Sequence, residues 1–185
     1  MDTMDALLQR HSCNKLTEPA PDADQLRFIQ QAALRAPDHA RLRPWRFLVI
    51  AGEGRVQLGD AMVDILLADQ PSADADQQQR TRAKPLRAPM IIVAIARIQN
   101  HPKVPAMEQV LSAGCAMHAM LLAAFAQGLG AIWRTGPLAS DTRLHAKLGL
   151  AAGETIIGFL YLGTPALSMP ETLRPAVDEH FSHWP

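Results

Sequence analysis

One stretch of the chain constrains the fold more than any other: residues 107–136, which read MEQVLSAGCAMHAMLLAAFAQGLGAIWRTG. Positions 110–129 are apolar almost throughout, and a helix that is apolar on every side is normally buried on every side. A chain of 185 residues can hardly enclose such a helix alone. We therefore expect a core helix that also meets a second subunit. The chain then turns and enters a short buried strand, 131–134, which ends in an arginine.

The same stretch is nearly long enough to span a membrane, since about 18 consecutive apolar residues are the usual threshold. It contains His118 and Gln127, however, and it lacks a basic flank and an aromatic belt. The small residues 112–116 suit close packing between helices in a soluble core. The sequence therefore favours a buried helix and no membrane partner.

Charge and cysteine content exclude several classes of function. Lys plus Arg and Asp plus Glu both number 18, so the chain lacks the basic excess typical of nucleic-acid binding. Cys13 and Cys115 are too far apart to suggest a disulfide framework or a C-x2-C metal site. We expect the thiol of Cys115, in the apolar helix, to have a raised pKa and low reactivity. With no signal-peptide pattern at the start, the sequence predicts a protein of the reducing cytoplasm.

Helix and strand signals alternate along the chain and predict one α+β domain, 1–185, with four to five strands. Residues 69–87 are rich in Gln, Asp and Ala, and both a mobile lid and a plain surface helix fit them. The tail, 166–185, carries aromatic residues with little periodicity, which suggests an arm lying on a partner subunit. Predicted helices are 4–9, 22–36 with Asp22 or Asp24 as cap, 55–68, a long one from 105, and 138–148; predicted strands are 46–50, 90–96, 131–134 and 156–162.

No motif for protein-based catalysis is present. The chain lacks G-x-S-x-G, H-E-x-x-H and a phosphate-binding lysine loop, and its Gly128-Leu-Gly130 follows a helix, whereas the dinucleotide fingerprint opens one. Asp38-His39 is more typical of a turn with a surface histidine than of an acid–base pair, and we interpret His118 as a core histidine with a backbone partner. The sequence therefore predicts either no catalysis or a cofactor that carries the chemistry.

Positive charge collects at the end of the first predicted helix. Arg10 and Lys15 flank a hydroxyl, Ser12, and free backbone N–H groups, a combination that suits a phosphate. A solvated basic helix end, favoured by the helix dipole, explains the same residues and is the more common case. Spacing alone leaves both interpretations open.

Several separated phrases, taken in order, resemble one family over nearly the whole chain. The ordered set is similar to the FMN-dependent nitroreductase family, in particular its small YdjA-like subgroup of NAD(P)H nitroreductases. His11 stands where the wider family commonly has a second arginine, and His39 and Arg43 stand at polar positions of its Pro-Ser-x-x-Asn-x-Gln-Pro-Trp phrase. The phrases are Arg10-His-Ser12, Arg35-Ala-Pro-Asp-His39, Arg43-Pro-Trp-Arg-Phe47, Arg87-Ala-Pro89, Ser112-Ala-Gly-Cys115, Gln127-Gly-Leu-Gly130, Trp133-Arg-Thr-Gly136 and Gly158-Phe-Leu-Tyr-Leu-Gly163.

The resemblance implies a nitroreductase-like α+β fold, with a central mixed or antiparallel sheet flanked by helices, in an intertwined homodimer with two FMN sites at the interface. One subunit would supply Arg10, His11 and Ser12 together with Trp133, Arg134 and Thr135. The other would supply Arg35 and His39. A further segment, matching a nicotinamide-nucleotide stretch of the subgroup, comprises Ala123, Ala124, Phe125, Ala126, Gln127 and Gly128.

The implied activity is that of an FMN-dependent oxidoreductase. NADH or NADPH would donate a hydride to the flavin in a ping-pong reaction, and a nitroaromatic, a quinone or a similar small acceptor would then take the electrons. No side chain need act as a covalent catalyst, and no metal is implied. Two alternatives remain: a flavin carrier or sensor of the same fold with weak turnover, and a same-fold enzyme of different outcome, such as a dehydrogenase or a flavin-fragmenting enzyme.

Overall fold

A computed structural model of the protein describes residues 2–167 and 175–184. Over these residues the chain alternates between helices and strands, as the sequence predicts. The helices are α1 (Thr3–Gln9), α2 (Ala23–Ala33), α3 (Glu53–Asp69), α4 (Ala75–Arg82), α5 (Ala106–Ala126) and α6 (Thr142–Lys147), and the strands are β1 (Leu16–Thr17), β2 (Trp45–Ala51), β3 (Met90–Arg97), β4 (Gly130–Arg134) and β5 (Glu154–Pro165).

The described strands form one antiparallel sheet with β5 near its centre. On one side β5 pairs with β3, and β3 pairs in turn with β2. On the other side β5 pairs first with β4 and then, at its end, with the two residues of β1. The predicted mixed or antiparallel sheet is therefore antiparallel, and β2 forms one edge of it.

Two helical layers cover the sheet, one on each face. Side chains alternate across β3, so Ile92 and Ala94 pack with α2 and α5, whereas Ile91 and Val93 pack with α3 and α6. Because β3 is buried on both faces, its sequence is a continuous apolar run and shows no alternation of apolar and polar residues.

The long helix α5 is apolar all round but not buried all round in the single chain. Met117 and Ala124 are fully buried against the sheet, whereas Met107 is 66% exposed and Leu111 60% exposed. His118 lies on the exposed side, and its ring has no hydrogen bond within the described residues. The prediction of a core histidine with a backbone partner is therefore wrong for the single chain.

Cys115 lies on the same exposed side of α5, so the prediction that burial in an apolar helix protects its thiol is also wrong for the single chain. By length and composition alone α5 could cross a membrane, but 56% of its most apolar window is buried within the fold. We therefore describe α5 as a core helix of this α+β fold.

Capping residues explain where the helices begin, and two predicted boundaries need correction. Asp22 caps α2 through a reciprocal box with Gln25, as the sequence suggested, but the helix ends at Ala33 and does not reach 36. The predicted helix 138–148 is split, because Asp141 caps α6 after a 3-10 turn at Pro137–Ser140.

Residues 69–87 contain a surface helix, α4, and no separate lid is needed to explain them. Asp74 caps α4 with a second reciprocal box. Arg82 pairs with Asp60 of α3, with 2.7 Å between Nε and Oδ1. Gly59 of α3 also packs on the Arg82 backbone so closely that a Cβ there would clash. Of the two interpretations left open by the sequence, these contacts agree with the plain surface helix, and the role of the segment stays a prediction.

Candidate functional site

A cavity of about 490 Å³ opens where β4 ends. It lies on the face of the sheet that α3 and α6 cover, because Ile132, Phe159 and Tyr161 form its floor and belong to that core. The predicted residues Arg134 and Thr135 line it, and Trp133 borders it although its ring lies on the other face of β4. The other lining residues are Met62, Lys84, Arg87, Gly136, Pro137 and Leu138.

Three cations line this cavity, and no carboxylate among the described residues does. Arg134 comes from the end of β4, and Lys84 and Arg87 come from a 3-10 turn, Lys84–Arg87, that leads into β3. Within the described residues none of the three forms an ion pair. The sequence analysis missed Lys84 and Arg87 as site residues; the available signal was two cations placed just before a buried strand.

The Arg134 side chain is held in place, but one of its hydrogen-bond donors has no partner within the described residues. Its Nη2 donates to Oδ1 of Asn14 at 3.3 Å, and its guanidinium lies over the ring of Tyr161. Its Nε is buried and has no hydrogen-bond partner within the described residues. A buried, charged donor without a partner is costly, so this atom indicates a ligand that accepts a hydrogen bond.

Tyr161 contributes an apolar surface, not an acid or base. Burial raises the pKa of its phenol, and the nearby charges of Arg134 and Arg87 only partly oppose that effect. The phenol therefore stays neutral near neutral pH and serves as a flat support for the guanidinium of Arg134.

Trp133 points to the opposite face of β4, toward α5. Its indole Nε1 donates to the carbonyl of Ile157 at 3.3 Å, and its ring lies over Gly114. Gly158 touches the other side of the ring so closely that a Cβ there would clash with it. The two glycines thus explain how a tryptophan fits between the helix and the sheet.

Arg10, His11 and Ser12 follow α1 along the outer edge of β4, where the Cys13 amide donates to the carbonyl of Ala131 at 2.9 Å. The ring of His11 packs edge-on against Phe125 at the end of α5, with 5.4 Å between centroids. Its Nε2 is buried without a partner, while its Nδ1 lies 2.9 Å from the carbonyl of Gln9.

The first predicted group is linked to the cavity but does not line it. Asn14, two residues beyond Ser12, bonds to Arg134, which joins the two parts of the site. Arg10 also lies near His118, whose pKa is lowered by burial and further by the Arg10 charge. The segment after α1 thus brings Arg10 to the outer edge of β4, the strand that ends in Arg134, although the two arginines are far apart in the chain.

Arg35 and His39 lie away from the cavity of their own chain, on the loop beside the start of α5. Both are exposed, and His39 pairs with Glu108 at 2.8 Å. The neighbouring Asp38 accepts hydrogen bonds from the backbone N–H groups of Leu42 and Arg43. Asp38-His39 is therefore a turn with a surface histidine, as the sequence analysis favoured, and not an acid–base pair.

The predicted nicotinamide-nucleotide segment is mostly buried in the single chain. Ala123, Ala124 and Phe125 are buried in the core, and Ala126 and Gln127 are partly exposed. Gln127 donates to the carbonyls of Gln25 and Ala123. Only Gly128 is exposed, so a nucleotide could reach this segment chiefly at its C-terminal end, and the assignment stays a prediction.

The described residues contain no group of three or more His, Cys, Asp or Glu that could hold a metal ion. What the site offers instead is a flat apolar floor and, within the part of the chain that the structure describes, three cations without an ion pair and a buried donor without a partner. This arrangement suits a planar, anionic organic ligand. FMN, with its flat ring system and phosphate, fits these residues.

Comparisons with known proteins identify the family of this chain. The pattern of the nitroreductase family matches residues 7–164. A relative from Escherichia coli (strain K12), provisionally named NAD(P)H nitroreductase YdjA, is 43% identical over 174 residues, 94% of each chain. A provisionally named NAD(P)H nitroreductase from Haemophilus influenzae is 39% identical over 167 residues, 89% of each chain.

Solved structures show the same fold. A nitroreductase-like protein from Bacillus cereus superposes with a TM-score of 0.86 at 23% identity, covering 100% of this chain and 96% of the other. A provisionally named nitroreductase from Desulfovibrio desulfuricans, solved in complex with FMN, has a TM-score of 0.75 at 25% identity, covering 100% and 98%. The predicted nitroreductase-like α+β fold is confirmed, and the chain belongs to the nitroreductase family.

Proposed function

We propose that this protein is an FMN-dependent NAD(P)H oxidoreductase that reduces nitroaromatics, quinones or similar small acceptors. The observation that carries the proposal is the cavity at the end of β4, where Arg134 presents a buried Nε without a partner beside Lys84 and Arg87. The names of the relatives and the FMN complex of a family member support an oxidoreductase that uses flavin.

This chain's own residues would bind and orient the cofactor. Arg134, together with Arg10 and Ser12, would bind the phosphate, and Lys84 and Arg87 would face the ring system. His11 and Thr135 would complete the edge of the cofactor site. Trp133 would hold the end of β4 in place through its hydrogen bond to the carbonyl of Ile157. When bound, FMN supplies the hydride-accepting and electron-donating chemistry that the side chains lack. The cations would stabilise the negative charge that the ring gains on reduction.

A second copy of the chain would complete the site. The exposed side of α5, with Met107, Leu111, Cys115 and His118, is an apolar stripe of the kind that marks an interface. A partner covering it would bring Arg35 and His39 to the flavin of the first copy. We therefore propose a homodimer, and a reducing cytoplasm fits its two free thiols.

Two exposed aromatic residues in the described part of the tail also support contact with a second copy of the chain. Phe181 is 76% exposed and Trp184 is 96% exposed, so neither aromatic ring is covered by its own chain. We propose that the tail, 166–185, packs on the second copy, where these rings would bury apolar surface. Residues 168–174 and 185 of this prediction lie outside the described part of the chain.

A flavin carrier or sensor of the same fold is the second candidate, because no side chain in the site acts as an acid or base. One experiment separates the two. The purified protein is loaded with FMN, its yellow absorbance is recorded, and NADH or NADPH is added without oxygen. Bleaching supports the oxidoreductase; bound flavin that neither nucleotide bleaches supports the carrier.

Two further outcomes are informative. A protein that binds no added FMN would contradict both candidates. An enzyme of different outcome, such as a dehydrogenase or a flavin-fragmenting enzyme, would be recognised by product analysis after aerobic turnover with reduced FMN, because the flavin or the substrate would then be converted to a different product.

A further inference from the structure

The loop between α2 and β2 has an unusual backbone. Ala40, Arg41 and Arg43 all adopt positive φ angles, 61°, 55° and 48°. Residues other than glycine rarely adopt this left-handed conformation, because their Cβ crowds the following carbonyl oxygen. Such strain persists only where surrounding contacts enforce it, and it clusters at functional sites.

Several contacts fix this loop on both sides. The carboxylate of Asp38 accepts from the Leu42 amide at 3.0 Å and from the Arg43 amide at 2.8 Å. From the other side, the side-chain amide of Gln99 donates to the Leu42 carbonyl at 2.8 Å. The Arg43 carbonyl accepts from the Trp45 amide, also at 2.8 Å. These contacts hold the loop in its strained conformation, so the loop is not a frayed tip.

The loop presents two arginines that the protein itself does not use. Arg41 and Arg43 are both exposed. Within the described residues neither guanidinium forms an ion pair. Two acids of this region are engaged elsewhere, Asp38 with backbone amides and Glu108 with His39. The chain as a whole has a net charge of zero, so the positive charge of these two arginines is a local excess.

We propose that Arg41 and Arg43 bind the 2′-phosphate of NADPH and make it the preferred donor over NADH. The inference rests on the proposed function, in which Arg35 and His39 of the same loop reach the flavin of the other subunit. A nicotinamide stacked on that flavin would leave the adenosine half of the donor to extend past the loop.

The chemistry of the two donors differs only at this phosphate. NADPH carries a dianionic group on its adenosine ribose, and NADH carries a neutral hydroxyl. Guanidinium groups bind phosphates through paired, charge-assisted hydrogen bonds, which a hydroxyl cannot replace. Two arginines on one fixed loop therefore provide a means of telling the two donors apart.

The test uses the full-length, FMN-loaded protein and the variants Arg41→Gln, Arg43→Gln and the double variant. Rapid anaerobic mixing measures the rate of flavin bleaching against NADPH and NADH concentration. We expect the half-saturating NADPH concentration to rise about tenfold or more in the double variant, the typical effect of losing charge-assisted hydrogen bonds. We expect the limiting rate and the NADH dependence to change less than threefold.

Three controls make the result specific. Arg80→Gln removes an exposed arginine on α4, far along the chain from the loop, and leaves NADPH dependence unchanged. The double variant Arg41→Lys with Arg43→Lys keeps the positive charge, and it should show part of the NADPH preference that the double Gln variant loses. In the wild type, 2′,5′-ADP inhibits competitively at least tenfold better than 5′-AMP, and the double Gln variant loses that difference.

Two outcomes would overturn the inference. Equal weakening of NADPH and NADH, or equal inhibition of the wild type by 2′,5′-ADP and 5′-AMP, would show that the arginines do not recognise the 2′-phosphate, while the proposed oxidoreductase would stand. Bound FMN that neither nucleotide bleaches would overturn the proposed function and this inference together. Thermal unfolding of each variant confirms that the loop substitutions leave the protein folded.

Discussion

The guanidinium of Arg134 lies over the ring of Tyr161, with 5.6 Å between Cζ and the ring centroid. Tyr161 comes from the centre of β5 and is 5% exposed, so it is a rigid support. Asn14 holds the same guanidinium from the other side. A cation that is fixed by a ring and an amide, and not by a carboxylate, keeps its charge available for a ligand.

Replacing Arg134 by Ala should weaken FMN binding by about 1.5–3 kcal/mol, the usual contribution of hydrogen bonds to a charged group. Fluorescence quenching of FMN during titration measures this change. Arg80→Ala, which removes an exposed arginine paired only with Asp76, is the matched control and should bind FMN as the wild type does. Unchanged affinity in Arg134→Ala would show that this side chain does not touch the cofactor.

Gly158→Ala should destabilise the protein and disturb the site together. The new Cβ would clash with the indole of Trp133 and lie 2.9 Å from the carbonyl oxygen of Arg134. We expect a loss of about 1–3 kcal/mol in the free energy of unfolding, typical of overpacking, with weaker FMN binding. Denaturant unfolding and FMN titration measure the two effects.

Gly54→Ala provides the comparison for this variant. It lies in α3, where a Cβ would meet only Cγ2 of Ile50 at 3.3 Å, and it should cost less than about 1 kcal/mol. If Gly158→Ala had the same free energy of unfolding and the same FMN affinity as Gly54→Ala, the close packing of Trp133 on β5 would not be a constraint on the site.

Leu111→Glu should separate the proposed dimer. Leu111 is 60% exposed in the single chain, and a carboxylate buried there on each copy would oppose association. Sedimentation should show monomers, and FMN affinity should fall because Arg35 and His39 of the second copy would be lost. Ala75→Glu, on exposed α4, should stay dimeric. A dimeric, flavin-binding Leu111→Glu protein would argue against this interface.

Glu154→Gln should reduce stability in a pH-dependent way. The Glu154 side chain is 8% exposed and accepts two hydrogen bonds from Arg46, each 2.7 Å long. These bonds, with further support from the Ala151 amide and from the charges of Arg46 and Arg97, lower its pKa from 4.5 to about 2. The ionised form is therefore favoured in the folded state, and its stabilising effect is complete above about pH 5.

At pH 7 the variant should lose about 2 kcal/mol of unfolding free energy, less than for a fully buried pair because Arg46 is 27% exposed. The difference from the wild type should shrink as the pH falls from about 5 towards 2, where Glu154 takes up its proton. Urea unfolding at several pH values measures it. Asp76→Asn, in an exposed pair, should cost under about 0.5 kcal/mol at any pH.

Much of the fold could be read from local patterns. The apolar run of β3, the proline before α5 and the acidic cap of α2 each specify an element through short-range chemistry. What the sequence could not reveal was the burial of individual residues on α5. Since that helix is apolar all round, its composition does not say which side faces the sheet, and His118 and Cys115 were misplaced for the single chain.

The candidate site was predictable in part, and mainly through resemblance. Trp133 and Arg134 end a short strand that follows a glycine turn, so their place at a sheet edge could be expected. Lys84 and Arg87 reach the same cavity from a segment 47 or more positions earlier in the chain, and only the pairing of β4 and β3 with β5 brings them there. Such long-range pairing leaves no local pattern.

The outer side of β2 has one more consequence. Within the described residues no strand pairs with it, and Val49 is 44% exposed between two small hollows, one on each face of the sheet. An uncovered apolar edge is a template for further strand pairing. This edge should therefore favour edge-to-edge association of protomers, so that heating at high protein concentration yields insoluble protein, whereas dilution suppresses that association.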